Sequence, residues 1–413
     1  MAGLPDMATH TNLPAYRLSL CLCAGVASLG ILLLRSFTNS LKSDHPKIIL
    51  SPKDTVLPNL PREEIKSLPY PPDALPGARD VDSPYGSTRV YEWGPEDGRK
   101  VLFVHGISTP CIALAGMAHR FVDKGCRVML FDLYGRGFSS SPSPTGPNSI
   151  QHDSRLYTTQ ILLSITSSPL HWSSFSLIGY SLGGGLAADF TSHFPRLVSS
   201  LILLAPSGLI RTSHTTLKSR LLYSPTSPLP SRLVERLVAA RLHTGPPTAQ
   251  SVEPEAATPG ILSAGKDRTG TQAVHASSHT PLLPGAPAST VAAVVDWQLA
   301  HHAGFVPAFV SSIRYAPIRG QHARWRVIGE RLSAQNAAPG DTVVAREGLE
   351  RGKVLVLLGV RDQVVVADEV AADVEAVLGS GNVDIRVLDA GHEVPIERVD
   401  ECVGAIWGFW GCA

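Results

Sequence analysis

The chain has 413 residues, 44% hydrophobic and 17% charged, enough apolar material for a large buried core. Its 36 lysines and arginines nearly balance 35 aspartates and glutamates, which excludes a nucleic-acid partner held by bulk positive charge. Six cysteines (Cys21, Cys23, Cys111, Cys126, Cys402 and Cys412) show no C-x-x-C pair and no framework spacing, so neither a disulfide scaffold nor a metal site is expected.

In chain order, the first feature is "LSLCLCAGVASLGILLL", Leu18 to Leu34, an uncharged run bounded by Arg17 and Arg35. Its length is near the lower limit for a bilayer-spanning helix, and leucines continue past the only small-residue cleavage candidate, so it reads as a retained membrane anchor over 18–34 within segment 1–35. Arg35, Lys42, Lys47 and Lys53 follow it. That bias places the body of the protein on the cytosolic side, as a single-pass membrane protein. Absence of any N-x-[ST] sequon agrees with a reducing compartment. From 36 to 86 the chain is studded with proline and reads as a stiff tether or wrap, because proline fixes φ and removes backbone donors.

Short apolar runs then alternate with helical patterns. "RVYEW", "KVLFVHG", "RVMLFDLYG", "FSLIGYS", "SLILLAP", "KVLVLLG" and "VDIRVLDAG" read as strands, and Met117–Lys124, His152–Thr166, Leu182–His193, Glu369–Leu378 and Ile396–Trp410 as helices. Near-continuous apolar strands alternating with helices predict an α/β fold with a mostly parallel, doubly wound sheet. The core divides into 87–208 and 353–413. Between them, 209–352 is too long for a connection and reads as an inserted helical cap. Its stretch of about 244–289, rich in Pro, Ala, Ser, Thr and Gly, is expected to be disordered. Arg314, Arg319, Arg324, Arg326 and Arg331 cluster near the end of the insertion, either as a solvated basic face or as a contact for anionic headgroups.

One stretch carries the chemistry. In "SLIGYSLGGGLAADF" an apolar strand turns directly into a helix at Ser181, flanked by Gly179 and Gly183 in the pattern G-x-S-x-G. Such a junction lifts a serine hydroxyl above a sheet, and the helix start aims backbone N–H groups at it. A serine needs a base and an orienting acid. His392, in the loop after "VDIRVL", is the base candidate, and Asp362, after "VLVLLG", is the acid, with Asp389 and Asp368 as competitors. Backbone N–H groups of Ile107 and Leu182 are the candidate oxyanion donors. His105 and Asp132 read as loop braces, and His301 and His302 as cap residues, packed or exposed.

With "HGIS", "FDLYGRGFSSSP", "GYSLGGG", "GVRD" and "AGHE", residues 88–410 outside the disordered insert resemble the α/β-hydrolase superfamily, in its serine-nucleophile branch of monoacylglycerol lipases, esterases and proline iminopeptidases. The resemblance implies the α/β-hydrolase type of sheet and hydrolysis of a small-molecule ester through an acyl-serine. A single glycine before Ile107 resembles oxyanion loops of enzymes acting on medium to long acyl chains, which suggests a lipid-like substrate. No cofactor is implied. An amidase, peptidase, thioesterase or acyltransferase would use the same residues, a lyase or cofactor-free reaction would form no acyl-serine, and a non-catalytic scaffold would keep the same fold.

Overall fold

Runs of consecutive apolar residues become strands in this protein because both faces of each are covered. The computed structural model describes residues 26–31, 46–211, 222–243, 278–283, 285–338 and 348–412. In chain order the strands are β1 (Ile48–Ile49), β2 (Ala78–Val81), β3 (Thr88–Trp93), β4 (Lys100–Val104), β5 (Arg127–Phe131), β6 (Ser141–Pro142), β7 (Phe175–Tyr180), β8 (Val198–Leu204), β9 (Val354–Gly359) and β10 (Val383–Leu388). The principal helices are α1 (Ala115–Asp123), α2 (Ser154–Thr166), α3 (Leu182–His193), α4 (Ser231–Leu242), α5 (Val291–His301), α6 (Phe305–Tyr315), α7 (His322–Ala337), α8 (Ala367–Leu378) and α9 (Val399–Trp410).

Eight strands form one sheet in the order β10-β9-β8-β7-β4-β5-β3-β2, parallel throughout except that β3 runs against both its neighbours. Central strands β7 and β9 are buried at every residue, whereas edge strand β10 leaves Val387 half exposed. Helices α1 and α9 cover one side, joined by Phe121 and Trp410 with ring centroids 5.4 Å apart. On the other side α3 packs between α2 and α7, and α7 continues onto α8. The C-terminal ends of β4, β7, β9 and β10 share one edge of the sheet, where open α/β sheets bind ligands.

Three expectations are corrected. From residue 46 the proline-rich segment is no tether: β1 pairs with β6, β2 extends the main sheet, and Tyr70 is fully buried with its hydroxyl donating to Asp132 Oδ2 at 3.1 Å. Apolar side chains between the prolines, Leu75 among them, give the segment a surface to bury.

The second correction is the cap boundary. Helix α7 belongs to the body, since Trp325, Ile328 and Leu332 are buried and Asn336 Nδ2 donates to Asn382 Oδ1 at 2.9 Å. The cap is therefore α4–α6, and the five arginines are divided between α6, the turn after it and α7. Arg324, Arg326 and Arg331 lie on α7, with Arg331 Nη1 donating to Ser192 O at 2.7 Å, while Arg314 Nη2 of α6 donates to Leu222 O at 3.2 Å.

Third, in the stretch expected to be disordered, residues 278–283 and 285–289 are described, and Ser278, Leu282 and Ser289 are buried. Leu282 N–H donates to Ser289 O at 2.7 Å; residues 244–277 lie outside the described residues. Of the apolar run 18–34, only 26–31 are described, as a helix with Val26, Leu29 and Ile31 exposed. Among the described residues no helix is long and apolar enough to cross a membrane.

Candidate active site

The turn from β7 into α3 puts Ser181 at φ 53°, ψ −117°, a conformation that an L-residue holds only under strain of about 1–3 kcal/mol. The surroundings overdetermine it. Ser181 N–H donates to Leu204 O at 2.9 Å, and Ser181 O accepts from the N–H groups of Gly184 and Ser207, each at 2.9 Å. Close approach explains the flanking glycines: a Cβ on Gly179 would sit 2.2 Å from Gly183 O, and one on Gly183 would sit 2.0 Å from Val104 O. Gly183→Ala is accordingly expected to remove about 3 kcal/mol of stability, the upper end for overpacking. Urea denaturation measures it, and an unchanged midpoint would contradict this packing.

Three sequence-distant residues meet at the turn. His392 Nε2 lies 2.9 Å from Ser181 Oγ, and His392 Nδ1 lies 2.7 Å from Asp362 Oδ2. Asp362 Oδ1 is held by the N–H groups of Val364 at 2.7 Å and Val365 at 2.8 Å, so only one carboxylate oxygen is left for the imidazole. The loops bearing the two partners are stitched together by Arg361 N–H to Ala390 O at 2.9 Å, and Glu397 Oε1 accepts from Gly391 N–H at 3.0 Å. The Asp362 side chain is wholly buried and that of His392 is 15% exposed. Burial pushes the imidazole down, but the charge and hydrogen bond of Asp362, with Glu393 and Glu397 nearby, outweigh it and hold His392 above its ordinary value of 6.5.

Neither competing acid is hydrogen-bonded to His392. Asp389 is exposed and ion-paired to Arg361 and Arg398, and Asp368 sits in the first turn of α8. Ile107 follows β4 and Leu182 opens α3; among the described residues neither N–H has an acceptor, and both residues line the cavity at Ser181. Ile210, Ile318 and Val364 supply further apolar walls to this cavity.

The remaining candidates brace the scaffold. Leu133 N–H donates to His105 Nε2 at 2.8 Å, so the ring proton is on Nδ1, which donates to Gly106 O at 2.7 Å. Burial, with Arg136 nearby, pushes His105 down to about 3 and keeps it neutral. Asp132 accepts from the N–H groups of Cys111 at 3.0 Å and Phe138 at 2.9 Å, closing the turn after β5. His302 is buried, with Nε2 donating to Ser139 O at 2.9 Å and Nδ1 accepting from Gly304 N–H, whereas His301 is exposed.

Sequence reasoning missed two residues of this region, Arg136 and Gln298. They reach the carbonyls of Ile107 and Ser108 across separations of 29 and 190 residues, and no local pattern announces such contacts.

Comparison with known proteins agrees with the architecture. A family model described as alpha/beta hydrolase fold matches residues 100–247. Over 132 residues, 32% of this chain and 38% of the relative, the sequence is 30% identical to a serine hydrolase-like protein of Danio rerio. A serine hydrolase-like protein of Dictyostelium discoideum is 30% identical over 128 residues, 31% of this chain and 34% of that protein. The chain thus matches just over a third of the length of these relatives. Among solved structures, lip1 of Acinetobacter baumannii AYE superposes with a TM-score of 0.53 at 16% identity, covering 81% of this chain and 91% of that one. A membrane phospholipase A described as a bacterial virulence factor gives 0.50 at 18% identity, covering 96% of this chain and 98% of that one. The sheet order, the strand–serine–helix turn and the family model over residues 100–247 agree on an α/β-hydrolase fold.

Proposed function

We propose that this chain is a serine hydrolase that cleaves a carboxylic ester with an apolar acyl group, tethered to a membrane by residues 18–34. One observation carries the chemistry: Ser181 Oγ, His392 and Asp362 form a continuous hydrogen-bonded chain, with Ser181 and His392 lining an apolar-walled cavity. In this reading Ser181 Oγ attacks the ester carbonyl carbon while its proton passes to His392 Nε2, and the Ile107 and Leu182 N–H groups receive the oxyanion. Collapse of the tetrahedral intermediate breaks the ester C–O bond. The alcohol leaves with the proton from His392, and the acyl group remains on Ser181. Water, deprotonated by His392, then attacks the acyl-serine; the bond from the acyl carbon to Ser181 Oγ breaks, Oγ takes the proton back from His392, and the acid is released. Asp362 holds the imidazole with its proton on Nδ1 and stabilises the cation formed in each half-reaction.

Residues 18–34 support the tether by length and lack of charge, and the positive residues after them support a cytosolic body. Turnover of p-nitrophenyl esters of graded acyl length, by the full chain and by a variant lacking residues 1–35, tests both parts. Hydrolysis of water-soluble short esters is expected to be equal in the two, while only the full chain is expected to sediment with vesicles and to hydrolyse long-chain esters presented in them. Absence of turnover for every ester would reject the hydrolase reading, and equal sedimentation would reject the tether.

A further inference from the structure

Arg136 is the largest buried charge near the site and has no carboxylate within ion-pair distance among the described residues. A guanidinium removed from water is retained only where its donors are satisfied. Here they are. Nε donates to Ile107 O at 3.0 Å, Nη1 to Tyr134 O at 2.9 Å and Tyr157 Oη at 2.7 Å, and Nη2 to Ser312 Oγ at 2.9 Å. Ser312 is a cap residue on α6.

A second cap residue reaches the same loop. Gln298 of α5, fully buried, donates from Nε2 to Ser108 O at 3.0 Å and accepts at Oε1 from Gly137 N–H at 2.8 Å. Three successive carbonyls after β4 are therefore held by three side chains: Gly106 O by His105, Ile107 O by Arg136 and Ser108 O by Gln298. Two of the three clamps depend on the cap. They fix the peptide planes on either side of Ile107, whose own N–H stays without an acceptor among the described residues.

Resting on the serine-hydrolase reading above, we infer that Arg136 and Gln298 are positioning residues that lock the oxyanion loop to the cap, so that the Ile107 N–H is aimed only while the cap is seated. The cap thus forms part of the oxyanion machinery as well as a cover. Such a preorganised donor acts on the transition state and leaves ground-state binding nearly untouched.

The test uses the full chain, with kcat expressed per site titrated by a fluorophosphonate. Arg136→Lys keeps the charge but cannot reach Ile107 O, Tyr157 and Ser312 together. It is expected to lower kcat about 10- to 100-fold at nearly constant KM, and to weaken an alkyl trifluoromethyl ketone, which forms a hemiketal oxyanion on Ser181, by the same factor. The acid limb of its pH profile is expected to keep the wild-type midpoint, because the His392–Asp362 contact is untouched. Should Arg136→Lys fail to fold, Gln298→Leu decides, with an expected loss in kcat of about 5-fold or more at constant KM and a matching loss of ketone affinity. A folded Arg136→Lys with kcat per titrated site within twofold of wild type would overturn the proposal, as would a loss confined to the number of titratable sites. Wild-type chain that takes up no fluorophosphonate would instead reject the hydrolase reading itself.

Discussion

A fluorophosphonate is expected to label the wild-type chain at one residue and to leave Ser181→Ala unlabelled, while kcat for ester hydrolysis falls about 10⁴- to 10⁶-fold. The size of the effect follows from the geometry. Ser181 is the hydroxyl within 2.9 Å of His392 Nε2, so removing it leaves the base with nothing to activate on the enzyme. What survives is acceleration from the oxyanion donors and from binding alone. Peptide mass mapping of the labelled chain checks the position. Label on any other residue, or equal label on the alanine variant, would show that the strained turn after β7 is not where acylation occurs.

The second large effect concerns Asp362. Because His392 must be neutral to accept the Ser181 proton, kcat/KM is expected to rise with pH through the imidazole midpoint. That midpoint lies above the ordinary 6.5 because Asp362 favours the charged ring more than burial disfavours it. Activity is therefore fully present above the midpoint and lost as pH falls through it. In Asp362→Asn the stabilising charge disappears while burial, which lowers the value, remains. The acid limb is expected to move downward in pH while kcat at its plateau falls about 10³- to 10⁴-fold, since an amide no longer fixes the proton on Nδ1. A pH–rate series on both proteins, with chemistry rate-limiting, measures the shift. An acid limb that stays in place after the substitution would remove Asp362 from its role.

Much of this site was legible in residue order. Near-continuous apolar runs announced the parallel sheet, because a strand covered on both faces has no polar side to show. Gly179 and Gly183 announced the turn at Ser181, since the carbonyls of Gly183 and Val104 leave no room for a Cβ at either position. The placement of Asp362 and His392 just past β9 and β10 followed from the same logic, as strand ends in such a sheet converge on one edge.

Elsewhere local composition misled. Prolines between 46 and 86 suggested a tether, yet Tyr70 and Leu75 are buried, because a segment that cannot form long helices still docks if its apolar side chains find a surface. Helix α7 looked like cap from its place within the interval 209–352, and only its contacts with α3 and α8 assign it to the body.

By itself the amino-acid order determined the class of fold and the strained serine, and it narrowed the partners to His392 and a short set of aspartates, because each depends on periodicity, steric room or position after a strand, and these are local. Only the tertiary structure decided that Asp389 is occupied by arginines, that the segment after residue 46 belongs to the body, and that Arg136 and Gln298 join the loop after β4 to the cap. Those outcomes rest on hydrogen bonds and packing between segments far apart in the chain, where one donor has many possible acceptors and geometry alone selects among them.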